Sequence, residues 1–98
     1  MTINCGLIYG RHSVPSDITE FIYTSDIPQQ HICDANYMER ICTDFLHRHL
    51  GVSTINVYVT GFTPALLALV KVCNDRGIHI NAYNFDREKR KFWRQEVI

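Results

Sequence analysis

The stretch that decides the fold is residues 54–66, Thr-Ile-Asn-Val-Tyr-Val-Thr-Gly-Phe-Thr-Pro-Ala-Leu. Its first part, residues 54–60, is rich in β-branched and aromatic side chains, which predicts a strand. Gly61 predicts a turn after the strand. Thr63 is expected to be the N-cap of a following helix, with Pro64 at the first helical position, where its missing N–H costs nothing.

The chain continues from this turn into a second strand. Apolar residues predict a helix over 64–76, and the glycine at 77 fits the left-handed position after its end. Residues 78–85 are predicted to form the next strand. A strand–helix–strand unit with so tight a return places its two strands parallel, with a right-handed crossover.

A second helix is predicted over residues 34–50, N-terminal to this unit. Asp34 is a plausible N-cap because its carboxylate can accept from the free N–H groups of the first turn. Gly51 is expected just past the C-terminus. Apolar side chains, together with one histidine, recur there at helical spacing: Met38, Ile41, Cys42, Phe45, Leu46, His49 and Leu50.

Three further strands complete the prediction, at residues 2–9, 21–24 and 91–97, the last forming a hairpin with the strand before it. The order is therefore β-β-α-β-α-β-β within a single domain, residues 1–98. The fold class is α/β, a small Rossmann-like mixed sheet of about five strands with two main helices. A ferredoxin-like arrangement is the alternative.

Composition excludes several classes of function. The 98 residues include ten basic and ten acidic side chains, so the net charge is zero and duplex nucleic acid is not an expected partner. No apolar run approaches the ~20 residues that span a bilayer. The first residues lack the pattern of a signal peptide, so we expect a cytoplasmic protein with no membrane partner.

The cysteines and histidines do not have metal-ligand spacing. The four cysteines include no C-x-x-C pair, and three of them, Cys5, Cys42 and Cys73, fall at apolar positions of the predicted elements. His47 and His49 lie on different faces of the predicted helix. We therefore expect free cysteines in the core, no metal site and no cofactor.

Ligands of open α/β sheets lie outside the carboxyl ends of the parallel strands. Here that edge includes Thr60 and Thr63, which supply hydroxyls, and Gly61, which lets the backbone approach a ligand closely. The helix behind them would favour an anion through its dipole and free N–H groups. The alternative is that these residues only form a good turn and helix start.

Two other strand ends would meet this turn. Arg11 and His12 follow the first strand and could complete an anion pocket, and Asn84 lies at the end of the strand after the helix. His12 is the candidate catalytic residue, as a general acid or base. The alternative is an ordinary surface histidine beside an arginine.

Two segments leave their role open. The helix over 64–76 has almost no polar face in its first two turns, which favours a homodimer interface, the alternative being cover from the rest of the chain. The segment 86–94 interleaves basic and aromatic residues, as single-stranded nucleic-acid sites do. A solvated hairpin tip is the interpretation we favour, because the chain is neutral.

The run Val57–Leu66 resembles the strand–turn–helix of small nucleotide-sensing domains, namely the CRISPR-associated Rossmann-fold (CARF) domains and the related ring nucleases. The resemblance covers about a third of the chain. It implies a homodimer that holds a cyclic oligonucleotide at strand-end turns, in anti-phage defence. The positions carried over are Thr60, Gly61 and Thr63. The 98 residues are fewer than a usual CARF domain has, and we expect no effector domain among them.

Two functions are consistent with these observations. The first is a homodimer that binds a nucleotide-like anion and sequesters it, or cleaves it as a slow metal-independent phosphodiesterase. The second is a protein–protein interaction module, such as an inhibitor or accessory subunit, that docks through helix 64–76.

Overall fold

The computed structural model describes residues 1–98, and its sheet has the order β2-β1-β3-β4-β5. The first four strands are parallel and β5 is antiparallel to β4. The fold is thus the predicted α/β, Rossmann-like one; a ferredoxin-like sheet would be antiparallel throughout. The elements are β1 (Thr2–Ile8), β2 (Phe21–Tyr23), a 3-10 turn (Gln29–His31), α1 (Ala35–His47), β3 (Thr54–Tyr58), α2 (Thr63–Asp75), β4 (His79–Asp86) and β5 (Lys91–Glu96).

The predicted boundaries of the helices and strands agree with the observed ones to within about three residues. The N-termini of the two helices illustrate one agreement and one difference. Asp34 is the N-cap of α1 as predicted, and its Oδ1 accepts from the N–H of Tyr37 at 3.0 Å. The prediction for Thr63 is wrong, because Thr63 is the first helical residue of α2 and Phe62 is the N-cap. Gly61 turns the chain at φ +81°, so that Phe62 already has the extended conformation of a cap.

Both helices cover one face of the sheet. The connection from β2 through α1 to β3 crosses β1, α2 joins the adjacent strands β3 and β4, and the two helices pack against each other. Parallel strands beneath helices are apolar on that face. The buried side chains there are Ile3, Cys5, Leu7, Ile55, Val57, Ile80 and Ala82.

Three of the four cysteines belong to this core, as predicted, and only Cys33 is exposed. All four are free thiols. Burial raises the pKa of Cys42 to about 11 and that of Cys73 to about 12, and it raises the pKa of Cys5 as well. These thiols therefore act as small apolar side chains at neutral pH.

The apolar helix α2 is covered mostly by its own chain. Leu66 and Val70 are half-buried, while Leu67 is 60% exposed. Neither α1 nor α2 has the length and apolar character that a membrane-spanning helix requires. The fully covered residues of α2 are Ala65, Ala68, Leu69, Val72 and Cys73.

The opposite face of the sheet carries no helix and is polar and aromatic. Asn4, Asn56 and Asn81 are register partners on β1, β3 and β4. Their side chains form a ladder, in which Asn56 Nδ2 donates to Asn4 Oδ1 at 2.8 Å and Asn81 Nδ2 donates to Asn56 Oδ1 at 3.0 Å. In the next row of this face, Tyr58 stacks on Tyr83 with ring centroids 4.8 Å apart. We call this surface the open face.

Candidate functional site

A cavity of about 440 Å³ lies at the carboxyl edge of the parallel strands. This is the edge at which α/β sheets bind ligands, and the volume is within the range of small-molecule sites. The cavity is formed by the loop after β1, the turn between β3 and α2, and the ends of the β4–β5 hairpin. Its lining residues are His12, Ser13, Val59, Gly61, Asn84, Phe85, Arg87 and Phe92.

Gly61 and His12 lie against each other in this cavity. A Cβ on Gly61 would come within 2.8 Å of His12 Nε2, and the φ of +81° is one that other residues rarely adopt. Glycine is therefore needed twice, for the turn and for the space that the imidazole occupies. His12 is otherwise exposed and makes no hydrogen bond within the chain.

Thr60 does not line the cavity, although it precedes Gly61. Its side chain is 1% exposed. Its Oγ1 accepts from the N–H of Ile8 at 3.1 Å and donates to the carbonyl oxygen of Ile8 at 3.3 Å. The hydroxyl thus bridges the ends of β1 and β3, where backbone pairing stops, and both of its hydrogen-bonding roles are used.

Arg11 and Thr63 also lie outside the cavity lining. Arg11 Nε is 2.8 Å from Asp26 Oδ1, and the guanidinium lies 5.2 Å from the centroid of the Phe62 ring. The hydrogen bonds from Arg11 and from the Ile27 N–H hold the pKa of Asp26 below its usual value. Thr63 is exposed and forms no side-chain cap.

The turn before α2 offers backbone donors. The N–H groups of Gly61, Phe62 and Thr63 make no hydrogen bond within the chain. Pro64 has no N–H, and Ala65 donates to the Phe62 carbonyl at 3.1 Å. Three consecutive free donors therefore stand at the positive end of the helix dipole.

Two polar side chains of the β4–β5 hairpin face the same space. Asn84 Nδ2 donates to Gln95 Oε1 at 3.2 Å. Arg87 is exposed and takes part in no salt bridge or side-chain hydrogen bond, in contrast to Arg11. Arg87 is thus a cation at the cavity whose charge no carboxylate of the chain pairs with.

Aromatic rings form the remaining wall. Phe85 and Phe92 are register partners on β4 and β5, and their rings meet edge to face at 5.2 Å. Phe92 also meets Tyr58 of the open face at 4.9 Å. Burial raises the pKa of Tyr58, as do its neighbours Tyr83 and Asp17.

The structure thus brings together three of the six predicted site residues, namely His12, Gly61 and Asn84. The sequence reasoning missed Val59 and the two phenylalanines as lining residues. The signal for the phenylalanines was the register of the hairpin, which pairs them on one face. No three histidine, cysteine, aspartate or glutamate side chains lie close enough to hold a metal ion.

No family model, curated protein or solved structure significantly matches the chain.

Proposed function

We propose that this protein binds a nucleotide-like anion in the cavity at the carboxyl edge of its sheet. The observation that carries the proposal is the mixed lining of the cavity. An arginine without a carboxylate partner, an imidazole and the free N–H of Gly61 form what we call its polar side, and two phenylalanine rings form its aromatic side.

The polar side suits a phosphate. The guanidinium of Arg87 can make paired hydrogen bonds to phosphate oxygens. Of the free N–H groups in this turn, that of Gly61 belongs to the cavity lining, and its place just before the N-terminus of α2 favours an anion through both hydrogen bonding and the dipole. His12, packed on Gly61, adds an imidazole that can hydrogen-bond a phosphate oxygen.

The aromatic side suits a planar base. Phe85 is 52% exposed, so part of its ring is free to contact a ligand. Stacking of a base on an aromatic ring contributes about 1–3 kcal/mol. Asn84 also lines the cavity, from the helix-bearing side of the sheet, and its amide oxygen can accept a hydrogen bond from the edge of the base.

The proposal concerns binding rather than cleavage. A general base needs a partner that orients it, and His12 makes no hydrogen bond to a carboxylate or hydroxyl of the chain. The proposed ligands include cyclic oligonucleotides, the class that the CARF resemblance implies. The proposal also keeps the homodimer, which the same resemblance implies.

The direct test is calorimetric titration with three probes: inorganic phosphate, AMP and a cyclic tetra-adenylate. We expect the two nucleotides to bind more tightly than phosphate, because only they can use the phenylalanines. Arg87→Ala should lower their affinity about 10- to 100-fold, the loss of one charge-assisted hydrogen-bonding group. Phe92→Ala should weaken the nucleotides but leave phosphate unchanged.

Lys89→Ala is the matched control, because Lys89 lies in the same turn but does not line the cavity. Gly61→Ala serves as a steric test, since its methyl group would displace His12. Absence of binding for all three probes, or equal affinities for the Arg87 and Lys89 variants, would refute the proposal.

A further inference from the structure

The outer edge of strand β5 has backbone N–H and C=O groups that no other strand pairs with. Its only strand partner is β4, and no helix packs extensively on it. Trp93, on the side of the sheet that bears the helices, is 49% exposed. A six-residue edge with an exposed tryptophan is a template for pairing with another strand.

The outward-pointing residues of β5 follow from its pairing with β4. The N–H of Val97 donates to the carbonyl oxygen of Ile80 at 2.9 Å. The carbonyl oxygen of Tyr83 points the other way and accepts from the N–H of Val59, just after β3, at 3.0 Å. Hydrogen-bonded pairs alternate in an antiparallel ladder. With the register Tyr83↔Arg94, the N–H and C=O groups of Arg94 therefore point away from β4, as do those of Phe92 and Glu96.

We infer that β5 pairs antiparallel with β5 of a second copy of this chain, about a two-fold axis through Gln95. This inference rests on the homodimer in the proposed function and names its surface. The axis sets Arg94 against the partner's Glu96, and Glu96 against the partner's Arg94. The strand is thus complementary to itself in charge.

The neighbouring registers are less favourable. An axis through Arg94 would place two arginines directly opposite each other, and like charges in that position are destabilising. The axis through Gln95 also brings Trp93 beside the partner's Val97. Both side chains belong to the helix-bearing side, so the exposed indole gains an apolar neighbour.

A second copy also fits the charge of the whole chain. Ten basic and ten acidic residues give zero net charge, so two copies do not repel each other at long range. The resulting sheet would have ten strands, with helices α2 of both copies on the same side. Phe92 would lie opposite the partner's Ile98, so the two cavities would open at opposite edges of the ten-stranded sheet, and each would bind its own ligand.

The test is a charge swap read by sedimentation equilibrium. The wild type should show a mass near twice 11.4 kDa, falling toward 11.4 kDa on dilution. Arg94→Glu and Glu96→Arg should each weaken the dimer at least about tenfold, since each places like charges opposite each other. The double variant should return the dissociation constant to within about threefold of the wild type, since it restores opposite charges at both positions.

Glu88→Arg is the control, as it changes charge equally in the turn outside the strand. Circular dichroism and urea midpoints check that each variant folds. A wild type that is monomeric at every concentration would refute the homodimer. A dimer indifferent to both single reversals would refute the β5 surface alone, and single effects without rescue would refute the reciprocal pairing. Ligand binding is measured separately, so its failure is distinguishable from these outcomes.

Discussion

The two faces of the sheet are built from different chemistry. The helix-covered face consists of isoleucine, leucine, valine, alanine and cysteine side chains, which α1 and α2 bury. The open face has an asparagine ladder and a tyrosine stack, whose side chains satisfy and support one another within the sheet. The covered face therefore contributes most of the buried apolar surface of the sheet, whereas much of the open face is accessible to solvent.

The largest expected effect is the difference in reaction rate between the exposed thiol and the buried thiols. Only Cys33 should react rapidly with a disulfide reagent, since burial raises the pKa of Cys5, Cys42 and Cys73. The three buried thiols should react only through unfolding, which costs about 5–15 kcal/mol in a typical domain, slowing them a thousand-fold or more. In a time course, Cys33→Ser should abolish the fast phase. A second fast thiol would show that the covered side opens.

Truncation of a phenylalanine should destabilise the covered side far more than the open face. Phe45 is fully buried on α1, and Phe45→Ala should cost about 3–5 kcal/mol in urea unfolding. Phe85 is 52% exposed, so the matched control Phe85→Ala should lower the free energy of unfolding by about 1 kcal/mol or less. Equal costs would contradict the division between the two faces.

Substitution of Thr60 should destabilise the protein more than substitution of Thr63, again because a buried side chain is compared with an exposed one. Thr60→Val removes the hydroxyl that serves both backbone groups of Ile8, and should cost about 1–3 kcal/mol. Thr63→Val changes an exposed side chain and should lie within about 0.5 kcal/mol of the wild type. If Thr60→Val lowered nucleotide affinity with stability intact, the hydroxyl would belong to the ligand site instead.

The surface pair of Arg11 and Asp26 should give the smallest effect. The folded state holds the pKa of Asp26 below its ordinary value of 3.8, chiefly through the hydrogen bond from Arg11. The stability it adds is therefore present above the unfolded pKa and is lost as the pH falls through the folded pKa. The difference between the urea midpoints at pH 7 and pH 3 should be slightly smaller for Asp26→Asn than for the wild type. An equal difference in the two proteins would show that the pair contributes no pH-dependent stability.

Periodicity and the turn residues predicted most of the fold. Apolar side chains alternate along the core strands and recur at helical spacing along the helices because one face of each element is buried, and that pattern is local in sequence. The edge rule for parallel strands found His12, Gly61 and Asn84. It could not assign Thr60, because that role depends on Ile8, 52 residues away in the sequence.

The two phenylalanines that line the cavity were not predicted because their position also depends on contacts between different strands. Phe85 and Phe92 meet because of a hairpin register that the turn geometry sets, and the turn includes Arg90 at a φ of +53°. The predictions for Arg11 and Thr63 assumed that every polar residue near the edge points into the site. Arg11 instead found a closer partner in Asp26, beyond the short strand β2.

The strand order also bears on how the chain acquires its structure. β1 lies between β2 and β3, and its pairing with β3 joins residues 52 positions apart, whereas β4 and β5 are joined by a short turn. Closing the long loop costs entropy before any contact with β3 repays it, so local pairs form sooner. During synthesis, β1 emerges before β3, and its apolar side chains have no strand on that side until β3 is made. Those residues are the ones that a chaperone would meet on the ribosome.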